Sequence, residues 1–138
     1  MTRQEQKKLD KKLNRKLSLY FGTDEERSKW SNVELLPMIK QRLSDSKSRS
    51  KDSKKGHSLT LEYLVDLFIE QRGKCAISKG YFCLMKRNDR MFSLDRKDSS
   101  KGYVPGNVWW VWTRINIMKG SMTMNELADM SRILHLSF

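Results

Sequence analysis

The sequence predicts a small α+β protein in which a helical basic N-terminal segment precedes a strand-turn-strand-helix unit. Three observations support this fold class. Apolar residues recur at helical spacing in the first half of the chain, short β-branched and aromatic runs occur in the second half, and glycine-containing turns separate those runs. Because the chain has 138 residues, it has room for one modest domain with an appended arm but not for two full cores.

The chain is strongly basic, with a formal net charge of +12 at pH 7. Such a charge is typical of proteins that neutralise phosphates, so nucleic acid is the leading expected partner. No long apolar run follows Met1, which argues against a membrane span or a signal peptide and makes the cytoplasm the expected location. Cys75 and Cys83 are too few for a four-cysteine zinc site, and we expect both to be reduced residues of the core.

Residues 1–43 are expected to form the basic helical segment. Leu9, Leu13 and Leu17 recur at a spacing of four in a stretch rich in lysine and arginine, and Gly22 follows that stretch. This pattern predicts a basic helix with a narrow leucine stripe that ends near Gly22.

More helices and then a linker are expected after Gly22. Thr23–Glu26 has a capping-box pattern, which predicts the start of a helix that carries Trp30. Pro37 fits the first turn of a helix better than its interior, so we expect the next helix to begin near Leu36. Residues 44–58 are polar, serine-rich and basic without apolar periodicity, which predicts a linker or a loop.

Residues 59–138 are expected to form the second domain, which opens with an amphipathic helix. Ser58 or Thr60 can cap the start of this helix, and Gly73 marks its end. Its apolar residues share one helical face. They are Leu61, Leu64, Val65, Phe68 and Ile69.

Short strands are expected to follow. The stretches CAIS (75–78) and YFCLM (81–85) predict two strands around a turn at Lys79 and Gly80, and FSLD (92–95) predicts a third strand. A fourth strand, NVWWVW (107–112), carries three tryptophans that we expect to cover the hairpin rather than to stack on bases. These tryptophans are Trp109, Trp110 and Trp112.

Two helices are expected to close the chain. TRINIMK (113–119) turns helical and ends at Gly120, and Thr123–Glu126 is a second capping box that opens a final helix. The buried side of the final helix is expected to carry Leu127, Met130, Ile133 and Leu134.

Asp95 and Asn116 are the candidate metal ligands. Asp95 lies where a strand runs into a turn, and Asn116 lies on the helix after the next strand, so a hairpin with a packed helix would bring both side chains together. Their oxygens suit Mg²⁺ or Mn²⁺, and two protein ligands leave positions open for water and phosphate. Asn107, in the intervening turn, can bond across the loop through its side-chain amide. The alternative is that Asp95 and Asp98 are ordinary turn formers.

Four sequence pieces between Leu59 and Lys119 carry a family resemblance. In chain order they are Cys75–Ser78 (CAIS), Asp95–Asp98 (DRKD), Lys101–Val108 (KGYVPGNV) and Asn116–Lys119 (NIMK). On these pieces the chain resembles the HNH, or His-Me finger, endonucleases of phage and homing type, including the recombination endonuclease VII group. The resemblance implies a ββα-metal domain in which Asp95 and Asn116 bind the metal and Asn107 braces the loop. The zinc-binding cysteines of that group are absent, so no structural zinc is expected.

The chain departs from this family where a general base is usual. The histidine that commonly follows the first metal ligand is Arg96 here, and arginine does not accept a proton at ordinary pH. Arg96 can instead stabilise charge on the reacting phosphate while water loses its proton to solvent or to Asp98. Trp112 stands where many relatives keep a second metal-binding histidine. His57 and His135 are expected to have solvated or packing roles.

Basic residues near the predicted metal are candidate phosphate contacts, with a merely solvating role as the alternative. They are Lys97, Lys101, Arg114 and Lys119. A second candidate DNA-binding face lies on the N-terminal helix and consists of Lys8, Lys12 and Arg15. Its alternative is a solvated face of a helix that docks through its leucines.

The residues, together with what the family resemblance implies, leave three functions open. The first is a metal-dependent endonuclease that nicks or cuts double-stranded DNA in a phage-infected bacterial cell, with Asp95, Arg96, Asp98, Asn107 and Asn116 in its catalytic site. The second is a catalytically silent DNA- or RNA-binding module with the same fold. The third is a resolvase that acts on branched DNA.

Overall fold

The computed structural model describes residues 1–21, 32–85 and 88–137, and the expected α+β class is confirmed. These residues contain five helices and one two-stranded antiparallel sheet. In chain order the elements are α1 (Arg3–Phe21), α2 (Asn32–Ser50), α3 (Leu61–Glu70), β1 (Phe92–Arg96), β2 (Val108–Trp112), α4 (Thr113–Lys119) and α5 (Met124–Ser137).

Helix α1 confirms the predicted leucine stripe. Leu13, Leu17 and Phe21 are buried, and Leu9 packs against the same core at its edge. The charged face stays outside, where Lys16 forms an ion pair with Asp66 of α3 at 2.6 Å. The basic helix is therefore docked on the rest of the molecule through its apolar side.

Helix α2 differs from the prediction at both ends. Pro37 lies inside the helix rather than in its first turn, and the helix continues to Ser50. Proline removes one backbone hydrogen bond near the helix start, but the burial of Leu35, Leu36 and Ile39 in the core offsets that loss. The expected helix that carries Trp30 lies outside the described residues.

The prediction that residues 44–58 form a linker or loop is wrong for its first half, which is the last part of α2. Ser46 is buried there, donates to the Leu43 carbonyl at 2.7 Å and lies 2.8 Å from His57 Nε2. The second half packs on the later chain, because Ser58 donates its backbone N–H to the Tyr103 carbonyl at 2.9 Å. Tertiary contacts therefore order a stretch whose composition is typical of a flexible linker.

Helix α3 has the predicted cap and the predicted buried face. Thr60 Oγ1 accepts a hydrogen bond from the Tyr63 backbone N–H at 3.1 Å. The fully or nearly fully buried residues are Leu61, Leu64, Val65 and Phe68, and Ile69 packs at the edge. Phe68 lies at the centre of the core, where its ring contacts the rings of Phe21, Phe82, Phe92 and Trp110.

The two strands predicted at 75–78 and 81–85 are absent, although the turn between them is present. Only one isolated bridge forms there, between Lys74 and Tyr81. The Cys75 N–H bonds to the Gly80 carbonyl at 2.8 Å, and Lys79 has a left-handed backbone with φ of 65°. The tight turn uses the backbone groups that a longer strand pair would need.

Strands β1 and β2 form the predicted antiparallel hairpin, with Phe92 opposite Trp112 and Arg96 opposite Val108. Trp110 is fully buried and donates its indole N–H to the Leu64 carbonyl of α3 at 3.1 Å. The prediction that the tryptophans cover the hairpin is thus confirmed for Trp110, and Trp109 and Trp112 pack partly buried at its edge. Helix α4 follows β2 without a connecting loop and ends at Gly120, as predicted.

Helix α5 has the predicted cap but not the predicted buried side. Thr123 Oγ1 accepts from the Glu126 backbone N–H at 3.1 Å. Met130, Ile133 and Leu134 are 45%, 57% and 46% exposed, so the expectation that they are buried is wrong. Leu127 is half-buried. An apolar stripe predicts that a helix has a face to bury. Here the hydrophobic core is already filled by α1, α2, α3 and the hairpin.

Candidate functional site

Asp95 is a buried carboxylate at the end of the hairpin. It lies in β1, is 5% exposed and accepts a hydrogen bond from the indole N–H of Trp109 at 2.8 Å. The ammonium of Lys119 lies 3.3 Å from Oδ1 and 3.2 Å from Oδ2. Because Asp95 and Trp109 are directly opposite in the sheet, the hairpin register itself brings the carboxylate and the indole together.

The position of Lys119 contradicts the prediction that this residue contacts phosphate. The residue is only 1% exposed, and its ammonium also donates to the Arg96 carbonyl at 3.0 Å. Lys119 therefore balances the charge of Asp95 inside the protein, where a nucleic acid does not reach it. One signal for this placement existed in the sequence, because residues three apart on a helix share a face and Lys119 follows Asn116 by three.

Asn116 and Asp95 both line one cavity of the protein. Its side-chain Nδ2 donates to Ser93 Oγ at 2.7 Å, which fixes the orientation of the amide. Among the described residues no hydrogen bond reaches the amide oxygen of Asn116. The expectation that hairpin and trailing helix place both side chains at one site agrees with this geometry.

The site cavity, as we call this space, has a volume of about 200 Å³. Arg96 lines it too, donates to the Lys101 carbonyl at 3.3 Å and places its guanidinium carbon 5.0 Å from the centre of the Tyr103 ring. The remaining lining residues are Arg49, Leu94, Ser99, Tyr103 and Gly120. Sequence reasoning missed Arg49, and no local signal marks it, since it lies in the stretch predicted to be a linker.

Asp98 does not line the site cavity. Its carboxylate accepts from the backbone N–H of Ser100 at 2.9 Å and from the Ser100 hydroxyl at 2.6 Å. The Ser100 hydroxyl, followed by the Ser100 backbone N–H, lowers the pKa of Asp98 below its ordinary value. A carboxylate that lies outside the cavity lining and holds its charge more firmly is a poorer proton acceptor, so the geometry does not favour the predicted catalytic role.

Asn107 forms the predicted bond across the loop. Its Oδ1 accepts from the Asp98 backbone N–H at 3.1 Å, and its Nδ2 donates to the carbonyls of Asp98 and Gly102 at 3.1 and 2.8 Å. The side chain is buried and lies outside the lining of the site cavity. Asn107 therefore holds the turn that follows β1, and it acts on the site through that turn.

The other predicted nucleic-acid contacts lie on the surface, away from the site cavity. The Lys97 ammonium lies 5.1 Å from the centre of the Trp109 ring, and Arg114 pairs with Asp89 at 3.3 Å. Lys12 pairs with Glu62 at 3.1 Å. The remaining exposed members are Lys8, Arg15 and Lys101.

Neither histidine lines the site cavity. His57 lies beside Ser46 and Tyr103, and burial, followed by the charge of Lys47, lowers its pKa below the ordinary value. His135 is exposed on α5. The two cysteines are free, with Cys75 buried and Cys83 half-buried.

The side chains that line the site cavity include oxygen ligands of the kind that a hard divalent cation binds. Asp95 and Asn116 line one space, and the carboxylate and amide oxygens that they carry are ligands that Mg²⁺ and Mn²⁺ accept. Lys119 is a competing positive charge on the same carboxylate. Across residues 1–21, 32–85 and 88–137, no three His, Cys, Asp or Glu side chains gather as a metal-binding group. A cation here would depend on Asp95, Asn116 and non-protein ligands.

Comparisons of the chain with protein-family models, with curated proteins and with solved structures found no match. None of the helices in the described ranges combines the length and the apolar character needed to cross a bilayer. The arguments about function therefore rest on the site itself and on the four motif pieces.

Proposed function

We propose that this protein is a metal-dependent DNA endonuclease of the HNH type, which hydrolyses phosphodiester bonds with Mg²⁺ or Mn²⁺. The observation that carries the proposal is that Asp95 and Asn116 line one cavity at the junction of a hairpin and the helix that follows it. The net charge of +12 supports a polyanionic substrate. Under this proposal the hairpin and α4 are the ββα-metal finger.

Each residue of the site has a physical role under this proposal. Asp95 Oδ1 and the Asn116 amide oxygen would hold the cation, which supplies positive charge against the oxygens of the reacting phosphate. Arg96, with its guanidinium at the cavity, stabilises negative charge that develops on the phosphate. Lys119 and Trp109 fix the orientation of the Asp95 carboxylate, and Asn107 holds the turn behind it.

A catalytically silent DNA- or RNA-binding module is the second candidate function. Two observations favour it: Lys119 already neutralises Asp95, and Arg96 stands where a proton acceptor would be needed. Such a module would keep the basic surface and lose hydrolysis. Binding to nucleic acid is expected under both candidates, so only cleavage separates them.

A plasmid assay tests the proposal. Purified protein is incubated with supercoiled plasmid in Mg²⁺, in Mn²⁺ and in EDTA, and nicked and linear products are resolved on an agarose gel. We expect conversion to nicked or linear plasmid with either metal and none with EDTA. Asp95→Asn is expected to lower the rate by more than about 100-fold, since it removes the charged ligand.

Asp129→Asn is the matched control, because it makes the same chemical change on the exposed surface of α5. We expect its cleavage rate to equal that of the unaltered protein. Retarded plasmid mobility without any metal-dependent product would establish the binding module instead. Cleavage that survives Asp95→Asn would show that the nuclease site lies elsewhere or that a contaminant cuts.

The choice of DNA substrate is a separate question within the endonuclease proposal. A homing enzyme would cut linear duplex at a defined sequence, whereas a resolvase would prefer branched DNA. Four-way junctions and linear duplexes of identical sequence, compared at equal concentration, distinguish these two substrates. A preference of more than about tenfold for the junction would favour the resolvase.

A further inference from the structure

A second cavity adjoins the site cavity and extends it toward the N-terminal helices. This neighbouring space has a volume of about 230 Å³. It shares Arg49, Leu94 and Tyr103 with the site cavity, and its other lining residues are Arg42, Asp45, Ser46, Ser93 and Thr113. Helix α2 thus forms one wall of a continuous cleft, and the hairpin with α4 forms the opposite wall.

Arg49 is the guanidinium in this cleft that has no protein partner within the described ranges. Arg42 donates from Nε to the Phe92 carbonyl at 3.2 Å, and Arg96 donates to the Lys101 carbonyl at 3.3 Å. The side chain of Arg49 forms no hydrogen bond or ion pair with any residue of those ranges. Its N–H groups are therefore available to a ligand that carries oxygen acceptors.

The charges around Arg49 favour an anion. At the site cavity the carboxylate of Asp95 is already matched by the ammonium of Lys119. The guanidinium groups of Arg49 and Arg96 then remain as positive charge without an equal negative charge on the cavity wall. Two guanidinium groups suit the oxygens of a phosphate, because the planar fork of arginine pairs with them in a bidentate manner.

We propose that Arg49 of α2 is a substrate-binding residue that, together with Arg96, holds a backbone phosphate of the DNA strand lying in the cleft. This inference rests on the proposed function, which supplies DNA as the substrate. The group that Arg49 and Arg96 would recognise in that substrate is a phosphate anion. It also gives helix α2 a part in the site, through a residue in the stretch that composition alone predicts to be a linker.

Binding of DNA without cleavage provides the first test. A fluorescein-labelled duplex of 20 base pairs is titrated with protein in EDTA, and anisotropy gives Kd at several salt concentrations. Loss of one phosphate contact by Arg49→Ala is expected to weaken binding about tenfold and to reduce the slope of log K against log salt by about 1. Arg49→Lys keeps the charge and is expected to restore most of the slope but not all of the affinity.

Lys51→Ala is the matched control, because it removes one exposed positive charge two residues away from Arg49 and outside both cavities. We expect its affinity to lie within about twofold of the unaltered protein, as a general loss of one surface charge predicts. Equal effects of Arg49→Ala and Lys51→Ala would overturn the proposal. Thermal unfolding of each variant checks that the fold is kept.

Side-chain NMR gives a reading that does not depend on affinity or on cleavage. In ¹⁵N-labelled protein, the Arg49 Nε–Hε resonance, assigned by its absence in Arg49→Lys, is expected to shift on addition of the duplex. A shift with sodium phosphate but not with the duplex would overturn the nucleic-acid assignment. If the protein binds DNA through Arg49 but never cleaves plasmid, the endonuclease proposal fails while the role of Arg49 in binding stands.

Discussion

Asp95 and Asp98 lie three residues apart in the same turn region, yet the protein uses them in opposite ways. Asp95 is buried, accepts from Trp109 and pairs with Lys119. Asp98 is half-buried at the turn, and its carboxylate accepts hydrogen bonds from the backbone N–H and the hydroxyl of Ser100. The sequence spacing of two carboxylates therefore does not assign their roles. Contacts from distant elements do so, here from β2 and from the end of α4.

The largest expected effect comes from removing the charge that balances Asp95. Lys119→Met keeps the length of the side chain but leaves a buried carboxylate without its counter-charge, so we expect a loss of about 3–5 kcal/mol in the free energy of unfolding. Urea unfolding at pH 7, followed by circular dichroism, measures this loss. The double variant Asp95→Asn with Lys119→Met should regain much of the stability. A loss below about 1 kcal/mol for Lys119→Met would mean that Asp95 is hydrated.

A smaller effect is expected from the side chain that holds the turn between β1 and β2. Asn107→Ala removes three hydrogen bonds in a buried position and leaves the carbonyls of Asp98 and Gly102 without this partner. We expect a loss of about 1–3 kcal/mol, measured by the same urea titration. Asn125→Ala, on the exposed surface of α5, is the matched control and should change the midpoint little. Equal midpoints for both variants would show that the loop is held by other contacts.

Asp98→Asn is expected to change little, in contrast to Asp95→Asn. The amide oxygen of asparagine can still accept from Ser100, and the site cavity is not lined by this residue. The urea midpoint at pH 7 should stay within error, and plasmid cleavage should stay within about twofold, because no reacting group is altered. A large fall in cleavage with an unchanged midpoint would restore Asp98 as the proton acceptor.

The smallest expected effect is the pH dependence of stability that arises from Asp98. Its pKa is lowered from 3.8 in the folded protein, first by the Ser100 hydroxyl, so its stabilising contribution is fully present above about pH 4. That contribution is lost as the pH falls through the lowered pKa. Ser100→Ala should move the pKa of Asp98 upward, as measured by NMR titration of its carboxyl carbon. An unchanged titration curve would contradict the role of the hydroxyl.

Local sequence signals predicted the elements of this fold well. The spacing of Leu13 and Leu17 predicted the buried side of α1, Thr60 and Thr123 marked helix starts, and Asn107 was expected to bond across its loop. Each of these depends on contacts within a few residues or within one turn. The sequence of such a stretch therefore contains most of the information that determines its conformation.

Two of the failures, at α5 and at the predicted linker, have a different cause, which is competition for the same core. The apolar residues of α5 have a helical pattern as regular as that of α1, yet Met130 and Leu134 remain exposed. Conversely, Ser46 lies in the serine-rich last part of α2 and is buried beside His57. Whether a face is covered depends on which other elements reach the core, and no local pattern contains that information.

The α+β class, the hairpin followed by a helix, and the residue types that can bind a metal all follow from local patterns, because periodicity, caps and turn residues act over short distances. The pairing of Lys119 with Asp95, and the approach of Arg49 from α2 to the same cavity, are set by the packing of the whole fold. Burial and charge pairing join residues that are far apart in the chain, and their energies depend on the space that all the elements enclose together.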